Sequence, residues 1–189
     1  CQAATTAGEE LGMNTRGVLK GLQGVGCVPG RLQRVEAGSD QPAVLVDYAH
    51  TDDALANVLS ALRPLTSGRL IVVMGCGGDR DRAKRPRMSQ VAGQLADDIV
   101  VTSDNPRTED PRRIIEEILA GFSAGQMEHV VVQPDRRLAI ARAIEMAGGD
   151  DVVLVAGKGH ETYQQIGREM FEFDDAAVAG EILKQRVGC

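Results

Sequence analysis

The sequence predicts an α/β fold: a doubly wound, mostly parallel sheet of about five or six strands with an antiparallel edge strand. Three observations predict it. Short β-branched runs recur along the chain, each apolar on both faces; helical patterns fall between them; and proline with an acidic cap introduces two of the helices. Strands apolar on both faces belong to parallel sheets covered by helices on either side. Their alternation with helices is the pattern of βαβ units.

In chain order, residues 1–40 differ in character from the rest, with a helical run through Thr15 to Leu22, then Val28-Pro29-Gly30-Arg31 and a loop from Ala37 to Pro42. They are expected to be the tail of a preceding domain plus a linker, with the main domain spanning residues 41–189. The expected strands are Ala43 to Asp47 (AVLVD), Leu70 to Met74 (LIVVM), Asp98 to Thr102 (DIVVT), His129 to Gln133 (HVVVQ) and Asp151 to Val155 (DVVLV). Ala54, Leu55, Val58, Leu59 and Leu62 keep the three-and-four spacing of an amphipathic helix, as do Ile114, Ile115, Ile118, Leu119 and Phe122. Pro111 follows Asp110 as a first-turn proline follows its cap, and Pro134-Asp135 introduces a helix through Leu138, Ala141 and Ile144. The alternating stretch Glu169 to Phe173 reads as the edge strand, and Asp174 to Arg186 as a last helix. Together these elements make a Rossmann-like arrangement.

Composition narrows the function. The 189 residues are 43% hydrophobic and 25% charged, a globular profile. A formal net charge of −6 gives no broad attraction for phosphate backbones, so nucleic acid is not an expected partner. No stretch approaches the roughly 20 apolar residues that span a bilayer, and no basic-then-apolar leader opens the chain, so a membrane is not expected and the location is expected to be cytoplasmic. Cys1, Cys27, Cys76 and Cys189 form no CxxC pair, which fits reduced thiols better than a disulfide frame or a zinc site. No metal site is expected within the chain.

Ligands of open α/β sheets bind beyond the carboxyl ends of the strands. The loops there read Tyr48-Ala49-His50, Gly75 to Arg82 (GCGGDRDR), Ser103 to Arg107 (SDNPR), Pro134 to Arg137 and Ala156 to Glu161 (AGKGHE). The glycine-rich run is neither GxGxxG nor a GxxxxGK(S/T) phosphate cradle, and by itself is equally a tight turn with solvated charges. In Asp104-Asn105-Pro106-Arg107 the arginine can grip a carboxylate at two points, on a loop that proline stiffens; a helix-entry turn with a surface arginine is the competing reading. Gly157 to Glu161 puts a lysine, a histidine and a carboxylate beside two glycines, more functional groups than a structural loop requires. His50 is either ligand-facing or a satisfied cap, and His129 reads as structural. No GxSxG elbow is present, which disfavours covalent catalysis.

The strings VDYAHTDDAL (Val46 to Leu55), GCGGDRDRAKRP (Gly75 to Pro86), TSDNPRTEDP (Thr102 to Pro111) and VLVAGKGHETYQ (Val153 to Gln164) resemble the C-terminal domain of the muramyl (Mur) ligases, and within that family the members that add meso-diaminopimelate in peptidoglycan synthesis. The resemblance runs from about Val28 to the last helix. It implies an ATP-dependent amide-forming ligase that phosphorylates the glutamate carboxylate of UDP-N-acetylmuramoyl-L-alanyl-D-glutamate, after which the incoming amine attacks the acyl phosphate. Carried over residue by residue, it implies ATP contacts for Arg31, Asp47, Tyr48 and His50, and meso-diaminopimelate contacts for Arg80, Asn105, Arg107, Gly157 and Glu161.

Meso-diaminopimelate carries two ammonium and two carboxylate groups, so its far end asks for a cationic fork beside an anionic partner, roles that Arg107 and Glu161 can fill. Lysine lacks the far carboxylate and would leave the arginine unpaired, at a cost of about 1–3 kcal/mol or more. Asp52 stands where many relatives have proline, with little consequence expected because either residue suits a helix start. The resemblance also implies Mg2+ beside ATP, with the phosphate loop and magnesium ligands in a middle domain; neither these nor a UDP-binding domain is found in the sequence, so the chain is expected to be the C-terminal portion of a longer, monomeric ligase that does not catalyse ligation by itself. A lysine-adding relative and a noncatalytic module that binds an amino acid or a nucleotide stand as the alternatives.

Overall fold

The computed structural model describes residues 28–36 and 41–187. The expected helix at Thr15 to Leu22 and most of the loop from Ala37 lie outside the described residues. Eight strands alternate with five helices among those described: β1 Gln33–Val35, β2 Ala43–Asp47, α1 Asp52–Leu62, β3 Leu70–Met74, α2 Lys84–Leu95, β4 Asp98–Val101, α3 Pro111–Leu119, β5 Val130–Val132, α4 Arg136–Met146, β6 Val152–Ala156, β7 Tyr163–Ile166, β8 Glu169–Glu172 and α5 Asp175–Val187. Six strands form one sheet in the order β1-β2-β6-β3-β4-β5. All of its neighbouring pairs are parallel except β1 with β2.

The period of two along each strand divides the core between the two faces. On β3, Leu70, Val72 and Met74 pack with Leu55 and Leu59 of α1, Met88 of α2 and Ile114 and Ile118 of α3. Ile71 and Val73 point the other way, to Ile140 and Ile144 of α4 and Val178 and Leu183 of α5. All five residues of β3 are fully buried, as a central strand covered on both sides requires.

The helix starts follow the caps read from the sequence. Asp110 accepts a hydrogen bond from the Arg112 N–H at 2.9 Å with Pro111 in the first turn, and Asp135 accepts one from Leu138 at 3.0 Å. Thr51 caps α1 through Ala54 N at 3.2 Å. Asp52 then lies in the first helical turn, where its charge suits the dipole, and pairs with Arg87 at 3.1 Å.

Three features differ from the sequence expectations. The stretch around Glu169 is not the edge strand of the main sheet: β8 pairs antiparallel with β7 in a separate two-stranded ribbon, closed by Gly167 at φ +61°, and all four β8 residues are exposed. The antiparallel edge is supplied by β1 instead, which lies ahead of residue 41 and pairs Gln33 with Val46 and Val35 with Val44. His129 does not begin a strand but ends a short 3₁₀ turn, Gln126–His129, before β5.

Candidate functional site

The loops that leave β2, β3, β4 and β6 open at the same end of the sheet and enclose a cleft of about 450 Å³. Tyr48 and His50 line it from the β2 loop, Gly77 and Arg80 from the β3 loop, Asn105 and Arg107 from the β4 loop, and Gly157 and Glu161 from the β6 loop. Seven of the nine residues singled out in the sequence therefore share one cleft. A larger groove of about 630 Å³ between β5, α4 and α5 is remote from these loops; of the charged residues lining it, Arg142 pairs with Glu145 and Arg186 donates to backbone carbonyls. It has the character of a packing groove.

The cleft walls are tied together through the backbone. Gly78 N donates to Asn105 O at 2.9 Å, joining the β3 and β4 loops, and Gly157 N donates to Asp47 O at 3.0 Å, joining β6 to β2. Gly157 has a φ of +118°, a conformation that demands glycine, and a Cβ there would stand 2.6 Å from Asp104 Oδ2 and displace that side chain. The β7–β8 ribbon braces the β4 loop: Gln164 Nε2 donates to Asp104 O at 2.7 Å, and Arg107 N donates to Gln165 O at 3.1 Å.

Asn105 is buried at the centre of this arrangement. Its Nδ2 donates to Glu161 Oε2 at 2.8 Å, while its Oδ1 accepts from Lys158 Nζ at 2.9 Å and from Gln165 N at 2.9 Å. Arg107 sits in the left-handed region at φ +52° and donates through Nη1 to Gly78 O at 2.8 Å. Arg80 is exposed and, among the described residues, donates only to the neighbouring carbonyl of Asp79. Among the described residues neither Arg80 nor Arg107 has a carboxylate partner, and Glu161 Oε1 has no hydrogen-bond donor. Lys84, which lines the same cleft, donates to His50 O and has no carboxylate partner either, and Asp104 Oδ2 has no donor among the described residues, so three cations and two carboxylate groups face the cleft with bonding capacity left over.

Beneath the cleft, Arg136 and Asp175 form a buried pair that holds the ends of β4 and β6. Lys158 is also fully buried, and burial pulls its pKa below the usual lysine value. On the flank, Arg85 of α2 is buried against Glu109 at 2.8 Å and Glu117 at 2.6 Å and donates to Gly77 O, so α2 anchors the glycine-rich loop. That loop is not merely solvated charge.

Arg31 and Asp47 do not line the cleft. Both Asp47 oxygens accept from backbone, Leu32 N at 2.8 Å and Ala49 N at 2.9 Å, which pins residues 31–32 against the end of β2. The Arg31 guanidinium lies 5.1 Å from the Tyr48 ring centre, and Tyr48 packs edge-on against His50, whose Nδ1 is 2.8 Å from Tyr48 O. The four residues expected on the nucleotide side therefore form a contiguous cluster that meets the cleft through Tyr48 and His50. Lys158, Asp104 and Arg136 were not singled out as site residues; their charges are visible in the loops, but nothing in the sequence signals their burial.

A family model described as Mur ligase, glutamate ligase domain, matches residues 30–159, and the chain belongs to this family. Within it, the chain is similar to proteins described as UDP-N-acetylmuramoyl-L-alanyl-D-glutamate--2,6-diaminopimelate ligase. One from Gloeobacter violaceus is 51% identical over 97% of this chain and 37% of that protein, and one from Geobacillus thermodenitrificans is 50% identical over the same shares. A solved structure described as the same ligase superposes with a TM-score of 0.79 at 40% identity, covering 98% of this chain and 37% of that one. A Mycobacterium tuberculosis folylpolyglutamate synthase complexed with ADP shares the fold, with a TM-score of 0.60 at 22% identity over 77% of this chain and 33% of that one. The chain spans little more than a third of the length of the relatives it matches.

Proposed function

We propose that this chain is the amino-acid-receiving domain of an ATP-dependent ligase that adds meso-diaminopimelate to UDP-N-acetylmuramoyl-L-alanyl-D-glutamate in peptidoglycan synthesis, and that the ligase works in the cytoplasm. The observation that carries the reading is the set of unspent bonding groups in one cleft: among the described residues Arg107, Arg80 and Lys84 have no carboxylate partner, and Glu161 Oε1 has no donor. An amino acid that presents a carboxylate and an ammonium at the same end matches that set. The similarity to diaminopimelate ligases supports the same choice.

In this reading Arg107 and Arg80 bind carboxylate, Glu161 accepts from an ammonium, Asn105 orients Glu161, and Gly157 keeps the floor low enough for the ligand to enter. Arg31, Asp47, Tyr48 and His50 form the nucleotide side, with Asp47 holding the Arg31 segment and Tyr48 offering a ring face. ATP supplies the activation of the acceptor carboxylate. Among the described residues no three His, Cys, Asp or Glu side chains gather as a metal site, and the roles above place no metal on them.

The test is calorimetric titration with meso-diaminopimelate, with L-lysine as control, on the chain and on the full-length ligase with ATP bound. Saturable heat with meso-diaminopimelate and none with lysine at the same concentration is expected. Equal binding of both, or no binding of either by the full-length protein, overturns the assignment.

A further inference from the structure

We infer that Lys158 is a positioning residue for amino-acid selection: from beneath the cleft it fixes which way round the Asn105 amide lies, and so which Glu161 oxygen is presented to the ligand. The inference rests on the proposed function and concerns a residue that touches no ligand in that reading.

A primary amide is almost symmetric in shape but opposite in polarity at its two ends, so its orientation is set by what surrounds it. At Asn105 the surroundings leave one solution. Two donors converge on Oδ1, the Lys158 ammonium and the Gln165 N–H, each at 2.9 Å. The reversed amide would aim its NH₂ at both donors and its carbonyl at Glu161 Oε2, leaving buried polar groups unpaired or repelled. With the amide held as observed, Nδ2 donates to Glu161 Oε2 at 2.8 Å. Oε1 then stays free for an ammonium group.

Of the two donors, Gln165 N belongs to the half-buried strand β7, whereas the lysine is fully enclosed. Its ammonium lies 2.9 Å from Asn105, 3.5 Å from Glu161 Oε2, 3.9 Å from Asp104 Oδ1 and 5.4 Å from the Tyr163 ring centre. Asn105 is the nearest of these partners. A buried lysine is costly to desolvate and survives where a specific geometry needs its donors. Here the whole hydrogen-bond chain runs from Lys158 through Asn105 to Glu161, three residues drawn from two loops.

The test is a double-mutant cycle in the full-length ligase, reading KM for meso-diaminopimelate, KM for ATP and kcat. Lys158→Met should raise the diaminopimelate KM at least tenfold, leave the ATP KM within about twofold, and narrow the preference for diaminopimelate over lysine. If Lys158 acts through Asn105, Asn105→Ala alone and Asn105→Ala with Lys158→Met should have the same diaminopimelate KM within about twofold, because the removed amide leaves nothing to orient. Multiplying losses in the double variant, or equal losses for ATP and diaminopimelate, overturn the inference and leave Lys158 a structural residue. Lys158→Gln, which retains N–H donors without charge, is carried through the same cycle, and it decides alone if Lys158→Met does not fold. A wild-type enzyme that does not saturate with diaminopimelate would instead overturn the functional reading, and this inference with it.

Discussion

Arg136 and Asp175, 39 positions apart, meet in a bidentate ion pair at 2.8 Å and 2.7 Å with both side chains fully enclosed. The same guanidinium donates to Ala156 O at 3.0 Å and to Ser103 O at 3.4 Å. One side chain therefore joins the starts of α4 and α5 to the ends of β6 and β4, directly below the loops that carry Glu161 and Asn105. Burial disfavours the guanidinium charge, but Asp175 outweighs it and leaves the pKa of Arg136 above the usual arginine value.

Removing one partner of such a pair strands a charge in the interior. Asp175→Asn should lower unfolding stability by about 3–5 kcal/mol, seen as a lower denaturant midpoint. Replacing both residues with apolar ones of similar volume should cost less than the single change, because no uncompensated charge is left. An unchanged midpoint for Asp175→Asn would show that the pair is not holding the loops.

The Arg85 cluster predicts acid sensitivity. Arg85 hydrogen-bonds Glu109 at 2.8 Å and 3.0 Å and holds its pKa at about 2, well below the ordinary 4.5; burial opposes the shift and the Asp79 N–H adds to it. Glu117 is shifted the same way, by hydrogen bonds from Arg82 and Arg85. A carboxylate with a depressed folded-state pKa contributes stability that is complete above its unfolded value and is lost as pH falls through the folded value. The melting temperature should therefore fall between about pH 4.5 and pH 2, and Glu109→Gln should flatten that slope while lowering stability at pH 7. A wild-type slope unaltered in Glu109→Gln would remove the assignment.

Much of this architecture was legible in the sequence because burial of apolar residues leaves a period. β3 is apolar at every position, and α1 and α3 carry clear stripes. Helix α2 leaves none: its buried residues are Arg85, Met88, Ser89 and Ala92, so the face that packs is half polar and Pro86 and Gly93 interrupt the run. Strand β1 has three residues, too short for alternation to register, and β8 turns outward into its ribbon. The loops at the sheet's carboxyl ends could be read for function because chain order fixes where they gather. What could not be read was depth: Lys158, Arg85 and Arg136 look like surface charges in the string and lie in the interior.

Gly157 offers a steric test. Its φ of +118° excludes ordinary side chains, and a Cβ would lie 2.6 Å from Asp104 Oδ2. Gly157→Ala should cost about 1–3 kcal/mol in strain and shift Asp104 from the cleft wall, so the diaminopimelate KM should rise in a folded protein. Unaltered stability and KM together would mean that the β6 loop relaxes freely, contrary to the bond from Gly157 N to Asp47 O.

The last prediction separates the backbone of Arg107 from its side chain. Arg107 holds φ +52°, where a non-glycine residue costs about 1–2 kcal/mol, while its guanidinium has no carboxylate partner among the described residues. Arg107→Ala keeps the strain and removes the cation; Arg107→Gly removes both. Both should raise the diaminopimelate KM of the full-length ligase roughly tenfold or more with the ATP KM nearly unchanged, because the carboxylate the guanidinium is proposed to hold is the amino acid's, and its bond to Gly78 O is lost equally in both. In thermal unfolding the glycine variant should be the more stable of the two by about 1 kcal/mol. If the two variants differ in KM as they differ in stability, Arg107 matters through its backbone, and the carboxylate role fails. If they share one KM while their melting temperatures diverge, the guanidinium selects the ligand and the strained backbone is what aims it.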